Sequence, residues 1–133
     1  MTDKQVLYEY RRKQSKETIE DAEKMLEQEI SPRSVINRAY YALFYSVLSL
    51  LVKSDSAVQT SKHSGIIGLF DREFIIPGKI DKKYSKILHE LFDERLEFDY
   101  KELTQVNIQD AEESVKKAKD FIGHIEKYIQ ENL

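Results

Sequence analysis

The sequence contains no cysteine, so disulfide bridges, thiolate nucleophiles and thiolate metal ligands are excluded at once. Proline and glycine are scarce, two and four residues in a chain of 133. That scarcity argues against a turn-rich β-sandwich and against a low-complexity tail. A strong charge of one sign is also missing: 21 basic residues face 24 acidic ones, a formal net charge of −3. Any attraction to nucleic acid must therefore come from a local patch. There is no glycine-rich phosphate loop, since Gly65 and Gly68 follow no strand pattern. His63, His89 and His124 are scattered without a second ligand at helical spacing, and His89-Glu90 lacks the return histidine of a zinc protease. The sequence thus predicts no metal and no cofactor, and no serine stands on a nucleophile elbow. The N-terminus is polar, without a signal-peptide pattern. The longest apolar run, around Ala39 to Val52, is interrupted by Ser46 and Ser49 and is expected to be too short to span a bilayer. These features predict a soluble, cytoplasmic protein that engages no membrane.

What is present is charge at 34% of residues, interleaved with apolar positions at helical spacing. The length suits one domain, residues 1–133, with a real core. Ser31 to Lys53 is the stretch the rest is arranged around. Ser31-Pro32 reads as a helix N-cap followed by proline at the first helical position. Val35, Ile36, Ala39, Tyr40, Leu43, Phe44, Val47, Leu50 and Leu51 then make the helix apolar nearly all round, the mark of a central helix wrapped by others.

Four further helices are expected around it. The first is capped by Thr2 or Asp3 and runs to about Glu29, with an apolar stripe of Ile19, Ala22, Met25, Leu26 and Ile30. Its basic cluster, Arg11-Arg12-Lys13 with Lys16, is either a solvated face or a phosphate-contacting edge. With Thr60 as N-cap, a third helix runs from Ser61 to about Phe74, its inner face His63, Ile66, Ile67, Phe70 and Phe74. Gly65 and Gly68 are expected to admit another backbone at close range. After the Pro77-Gly78 turn, Asp81 caps a fourth helix with the stripe Tyr84, Ile87, Leu88, Leu91 and Phe92, and Arg95 falls next on that stripe. This helix is expected to fray at Phe98-Asp99-Tyr100, and a loop leads to Asn107. The last helix carries the cleanest pattern: Ile108, Ala111, Val115, Ala118, Ile122, Ile125 and Ile129.

One conflict stands out. The oily central helix carries Asn37, Arg38, Tyr41 and Tyr45, and helical spacing puts Arg38, Tyr41 and Tyr45 on one face. An unpaired buried guanidinium is costly. Arg38 therefore either meets an anion, for which its planar fork suits phosphate or carboxylate, or pairs internally with Asp99 or Glu94. In the first case Tyr41 and Tyr45 offer hydroxyls and flat faces for hydrogen bonding or base stacking, and Asn37 reads a ligand edge or holds the arginine. In the second the tyrosines are core and the chain is a non-catalytic helical assembly module. His63, next to Lys62 at a helix start, is likewise either a satisfied core histidine or an anion contact.

At Asn37-Arg38-Ala39-Tyr40-Tyr41-Ala42-Leu43-Phe44 the chain resembles the HEPN domain family, in its branch of small stand-alone prokaryotic proteins. Lys62-His63-Ser64-Gly65, Leu91-Phe92 with Arg95 and Asp99-Tyr100, and Ala111 to Ile122 resemble the same branch. The resemblance implies an all-α up-and-down bundle of about five helices, usually a homodimer. It also implies binding of RNA or a nucleotide, and a toxin role beside a nucleotidyltransferase-type partner, in some members as a metal-independent endoribonuclease. The family's catalytic signature is an arginine followed on the same helix by a histidine. Arg38 matches the arginine, and Tyr45 stands at the histidine position. A phenol ordinarily titrates at about pH 10, so it is a poor proton shuttle where imidazole is a good one. The resemblance thus gives Arg38 and Tyr45 the catalytic positions, and the candidate ligand-binding residues read from the helix faces are Asn37, Tyr41, Lys62, His63 and Arg95.

Overall fold

The structure, a computed structural model, describes residues 2–100 and 106–133, and the side chains at 97–100 lie outside the described set. It contains α1 (Asp3–Glu27), α2 (Pro32–Lys53), α3 (His63–Phe70), a π-helical turn (Asp71–Ile75), α4 (Lys82–Tyr100) and α5 (Ile108–Asn132). Among the described residues the fold is an all-α bundle of five α-helices. Cross-helix partners run in opposite order. Lys4 meets Asp55, Ser15 meets Ala42 and Asp21 meets Arg38, so α1 and α2 are antiparallel. Arg12–Glu126 with Glu23–Lys119, and Lys83–Asp120 with Glu90–Lys117, set α5 antiparallel to both α1 and α4.

α2 is the axis, as its composition predicts. Ile36, Tyr40, Leu43, Leu50 and Leu51 are fully or almost fully buried, and α1, α4 and α5 all pack on it. Pro32 occupies the first turn, but Ser31 caps only through its backbone, its carbonyl accepting from the Val35 amide. By length and composition this helix is long and apolar enough to cross a membrane, contrary to expectation. Two-thirds of its apolar window (67%) is buried inside the bundle, which is where the apolarity is used.

Helix ends explain several boundaries. Thr2 and Gln5 form a reciprocal capping box on α1, and Asn107 and Asp110 form another on α5. α1 ends with the Ile30 amide on Met25 O and the Glu29 amide on Leu26 O; α2 ends with Ser56 on Leu51 O and Asp55 on Val52 O. These are Schellman closures. Glu29 and Asp55, at φ 57°, take the left-handed position usually given to glycine. For Asp55, an ion pair to Lys4 helps to hold the geometry. Ile30 consequently leaves the α1 stripe and is exposed.

α3 begins at His63, two residues later than the sequence suggests. Thr60 accepts from the Lys62 amide instead of capping the helix. After Phe70 the chain continues as the π-helical turn, where the Asp71 carboxylate accepts from Ser85 Oγ and pairs with His89 Nε2 of α4. A Cβ on Gly65 would fall 2.5 Å from Thr60 Cγ2, so the close approach there is to a side chain, whereas Gly68 has open space around it. α4 stays helical through Tyr100 rather than fraying before it. On α5 the buried face keeps Ala111, Val115, Ala118, Ile125 and Ile129 of the sequence stripe and adds Ser114 and Phe121, while Ile108 and Ile122 are only half-buried.

Candidate functional site

The polar face of α2 divides into two arms. In the first, Arg38 projects toward α1 and its guanidinium donates to Asp21 Oδ2 at 3.3 Å. The side chains are 39% and 54% exposed, so this is a surface pair, not a sealed one. Arg38 and Asn37 line a shallow, open depression with Met25, Arg33 and Ser34. Among the described residues the partner is thus Asp21 and not Glu94, the one of the two expected acidic partners whose side chain is described. Glu94 instead accepts from Ser114 Oγ on α5, and the Asp99 side chain lies outside the described residues.

The second arm is an aromatic cluster where α2, the start of α3 and α4 meet. Tyr40 is buried, and its hydroxyl shares a 2.8 Å hydrogen bond with His63 Nδ1. The His63 ring stacks on Phe44 with centroids 4.0 Å apart, and meets Tyr41 edge-on. Arg95 of α4 lies over both tyrosine rings, 5.4 Å from Tyr40 and 5.3 Å from Tyr41, and donates to the Tyr41 hydroxyl at 3.3 Å. Tyr45 sits one turn beyond Tyr41, rings 6.0 Å apart, half-buried. Burial raises the Tyr40 phenol well above its ordinary range, although nearby Arg95 opposes that. His63 is lowered, first by burial and then by repulsion from Arg95, so its neutral ring is the favoured form.

The structure therefore brings Tyr41, His63 and Arg95 together and seats Tyr45 beside them. Arg38 and Asn37 occupy the neighbouring, α1-facing edge of the same helix. Lys62 is exposed at the N-cap of α3, with its carbonyl accepting from Ile66. Sequence reasoning placed Tyr40 in the core and missed its role as the hub of the second arm. The available signal was a phenol on the buried side of a central helix, whose hydroxyl must find a partner. The basic cluster of α1 is largely spoken for: Arg11 bonds Gln14, Arg12 pairs with Glu126 and Lys13 with Glu17.

The depressed His63 pKa gives stability a pH dependence of known sign. The unfolded chain holds the extra proton more readily than the fold does. The contribution is complete above the ordinary value of 6.5 and is lost as pH falls through it toward the lower folded value. Urea unfolding followed from about pH 7.5 to about pH 5.5 should show a falling midpoint. A His63→Gln variant should show a smaller fall over the same interval, and an identical slope in the two proteins would contradict this account.

Comparison with known proteins follows the same lines. The family model described as HEPN domain matches residues 8–128. A UPF0332 protein of Thermotoga maritima is 37% identical over 131 residues, 98% of this chain and 97% of its own length. Two proteins of Methanocaldococcus jannaschii, each named as a candidate toxin, are more distant. One is 31% identical over 101 residues, covering 76% of this chain and 73% of its own length. The other is 29% identical over 94 residues, covering 71% and 63%.

Proposed function

The chain belongs to the HEPN domain family, and from that premise we propose that it is a toxin-type protein whose α2 face engages RNA or a nucleotide. The observation that carries this is the state of Arg38. Its guanidinium stands half-exposed on the rim of an open depression, held by a surface carboxylate that a phosphate can displace. Tyr41 and Tyr45 lie farther along the same helix and offer ring faces and hydroxyls to a base or phosphate. The two relatives named as candidate toxins support the toxin role. In this reading the chain works in the cytoplasm as a homodimer, opposed by a nucleotidyltransferase-type partner protein.

Cleavage by this site would proceed by attack of the ribose 2′-hydroxyl on the adjacent phosphorus, with the P–O5′ bond breaking to leave a 2′,3′-cyclic phosphate and a proton from solvent completing the departing 5′-hydroxyl. Arg38 would neutralise the charge that builds on the phosphorane oxygens, and Tyr45 would orient the phosphate. Tyr45 is a weak group for taking the 2′ proton, so the wild type is expected to bind RNA and cut it poorly. The test is incubation of labelled RNA with wild type and a Tyr45→His variant, both in EDTA. Binding by both proteins with cleavage gained in the variant is the expected result. RNA bound by neither protein would refute the proposal.

A second reading is favoured by the Arg38–Asp21 pair itself: a non-catalytic assembly module in which that contact is structural. Under it, Arg38→Ala lowers thermal stability, and any activity falls only in proportion to folded protein.

A further inference from the structure

We propose that the cavity enclosed by α1, α2 and α5 is a binding site for a small neutral ring compound that carries one hydroxyl or carbonyl group. The cavity lies between α2 and the α1–α5 pair, whereas the aromatic cluster lies between α2, the start of α3 and α4. The two sites are separate, and this one does not depend on RNA meeting the other.

The walls set the size and direction of the ligand. The cavity measures about 180 Å³. An apolar cavity of about 150 Å³ holds one benzene, so a single ring with a polar substituent fills this one. Ile19, Ile125 and Ile129 are buried and give it apolar sides. Ser46 and Ser49 of α2 are buried as well and form its inner end. At the outer end stand Arg12 and Glu126, paired with each other through side chains that are 45% and 39% exposed. Such an exposed pair holds the opening only weakly and parts to admit a ligand.

The hydroxyls set the ligand's chemistry. Four of them line the cavity, from Tyr8, Ser15, Ser46 and Ser49. Two are spent within the fold: Ser15 Oγ donates to the Ala42 carbonyl and Ser49 Oγ to the Ser46 carbonyl, both at 2.7 Å. The Ser46 and Tyr8 hydroxyls have no hydrogen-bond partner among the described residues, although the two residues are only 3% and 9% exposed. A buried hydroxyl left without a partner is costly, and one oxygen on a ligand satisfies it. The Tyr8 ring is held in place by Lys53, whose ammonium lies 4.9 Å from its centroid. Burial raises the Tyr8 phenol above its ordinary value, against the pull of Arg12, so it meets the ligand as a neutral hydroxyl. A charged ligand fits less well. Glu126 already offsets Arg12, Lys16 at the outer end is exposed to water, and the inner end offers only neutral groups.

The test follows the isoleucine δ1-methyl signals of the full chain by NMR during titration at about pH 7 with phenol, toluene and benzoate. Phenol is the neutral ring with a hydroxyl. Toluene has nearly its size and cannot hydrogen-bond, and benzoate carries a charge. The expected result is a saturable shift at Ile125 and Ile129, with Ile67 of α3 and Ile87 of α4 unmoved. Phenol should bind about three- to tenfold tighter than toluene, the worth of one hydrogen bond, and tighter than benzoate. Ser46→Ala combined with Tyr8→Phe should remove the preference for phenol and leave toluene binding in place. Should that variant fail to fold, the wild-type ratio of phenol to toluene decides alone. No shift at Ile125 and Ile129 with any probe overturns the proposal and leaves a cavity filled by water. Toluene or benzoate binding as tightly as phenol, or shifts spread over all the isoleucines, overturns it too.

Discussion

Arg38→Ala is expected to reduce RNA affinity at least tenfold while moving the melting temperature little. The two halves of this expectation come from one contact. Arg38 and Asp21 are both substantially exposed, and an exposed pair contributes about 0–1 kcal/mol to stability. The aliphatic stem loses some packing, but the apolar core beneath, with Val35, Ile36 and Ala39 fully buried, is untouched. A guanidinium on a phosphate makes charge-assisted, often paired hydrogen bonds, of about 1.5–3 kcal/mol when the acceptor is charged. Loss of that contact is about ten- to a hundredfold in affinity. Fluorescence anisotropy of a labelled RNA, with melting curves on the same samples, separates binding from folding. Asp21→Ala is the companion variant. It frees the guanidinium and should leave RNA affinity equal or higher, whereas an internal structural pair predicts that both variants lose stability alike.

The largest expected loss of stability comes from Phe121→Ala. Phe121 is fully buried, 5.8 Å from the Phe70 ring and 6.1 Å from the Tyr84 ring, so it joins α5 to both α3 and α4. Truncating a buried phenylalanine costs about 3–5 kcal/mol through lost transfer energy and the cavity left behind. Against a total stability on the order of 5–15 kcal/mol for a domain, that is a large share. Thermal and urea unfolding of Phe121→Ala and Ile122→Ala form the discriminating pair. Ile122 lies on the stripe read from sequence but is half-buried, so its truncation should cost clearly less. Equal losses would mean that the α5 face is misassigned.

That pair also shows where sequence patterning reaches its limit. Alternating threes and fours located α5, because amphipathic spacing is a local property. That Phe121 goes fully inside while Ile122 does not is not local, since it depends on which aromatic rings α3 and α4 present. The end of α1 is blurred because Glu29, not glycine, takes the left-handed position. The same holds for the site. Spacing put Arg38, Tyr41 and Tyr45 on one helix and flagged a charge that needed explaining. It carried no information on Asp21 as the partner, because that contact joins residues seventeen apart across the α1–α2 turn. Nor did it reveal that the Tyr40 hydroxyl reaches His63 on a separate helix.

The central claim is that RNA meets the polar face of α2 and the ring cluster beside it. The most direct measurement is an NMR titration of the full chain with a short RNA, following the Arg38 and Arg95 side-chain Nε–H signals and the ring signals of Tyr41, Tyr45 and His63. The account predicts that these move together and saturate at one RNA concentration. Shifts confined to the lysine-rich groove between α4 and α5, around Lys83, Lys86 and Lys116, with the α2 face unmoved, would contradict it.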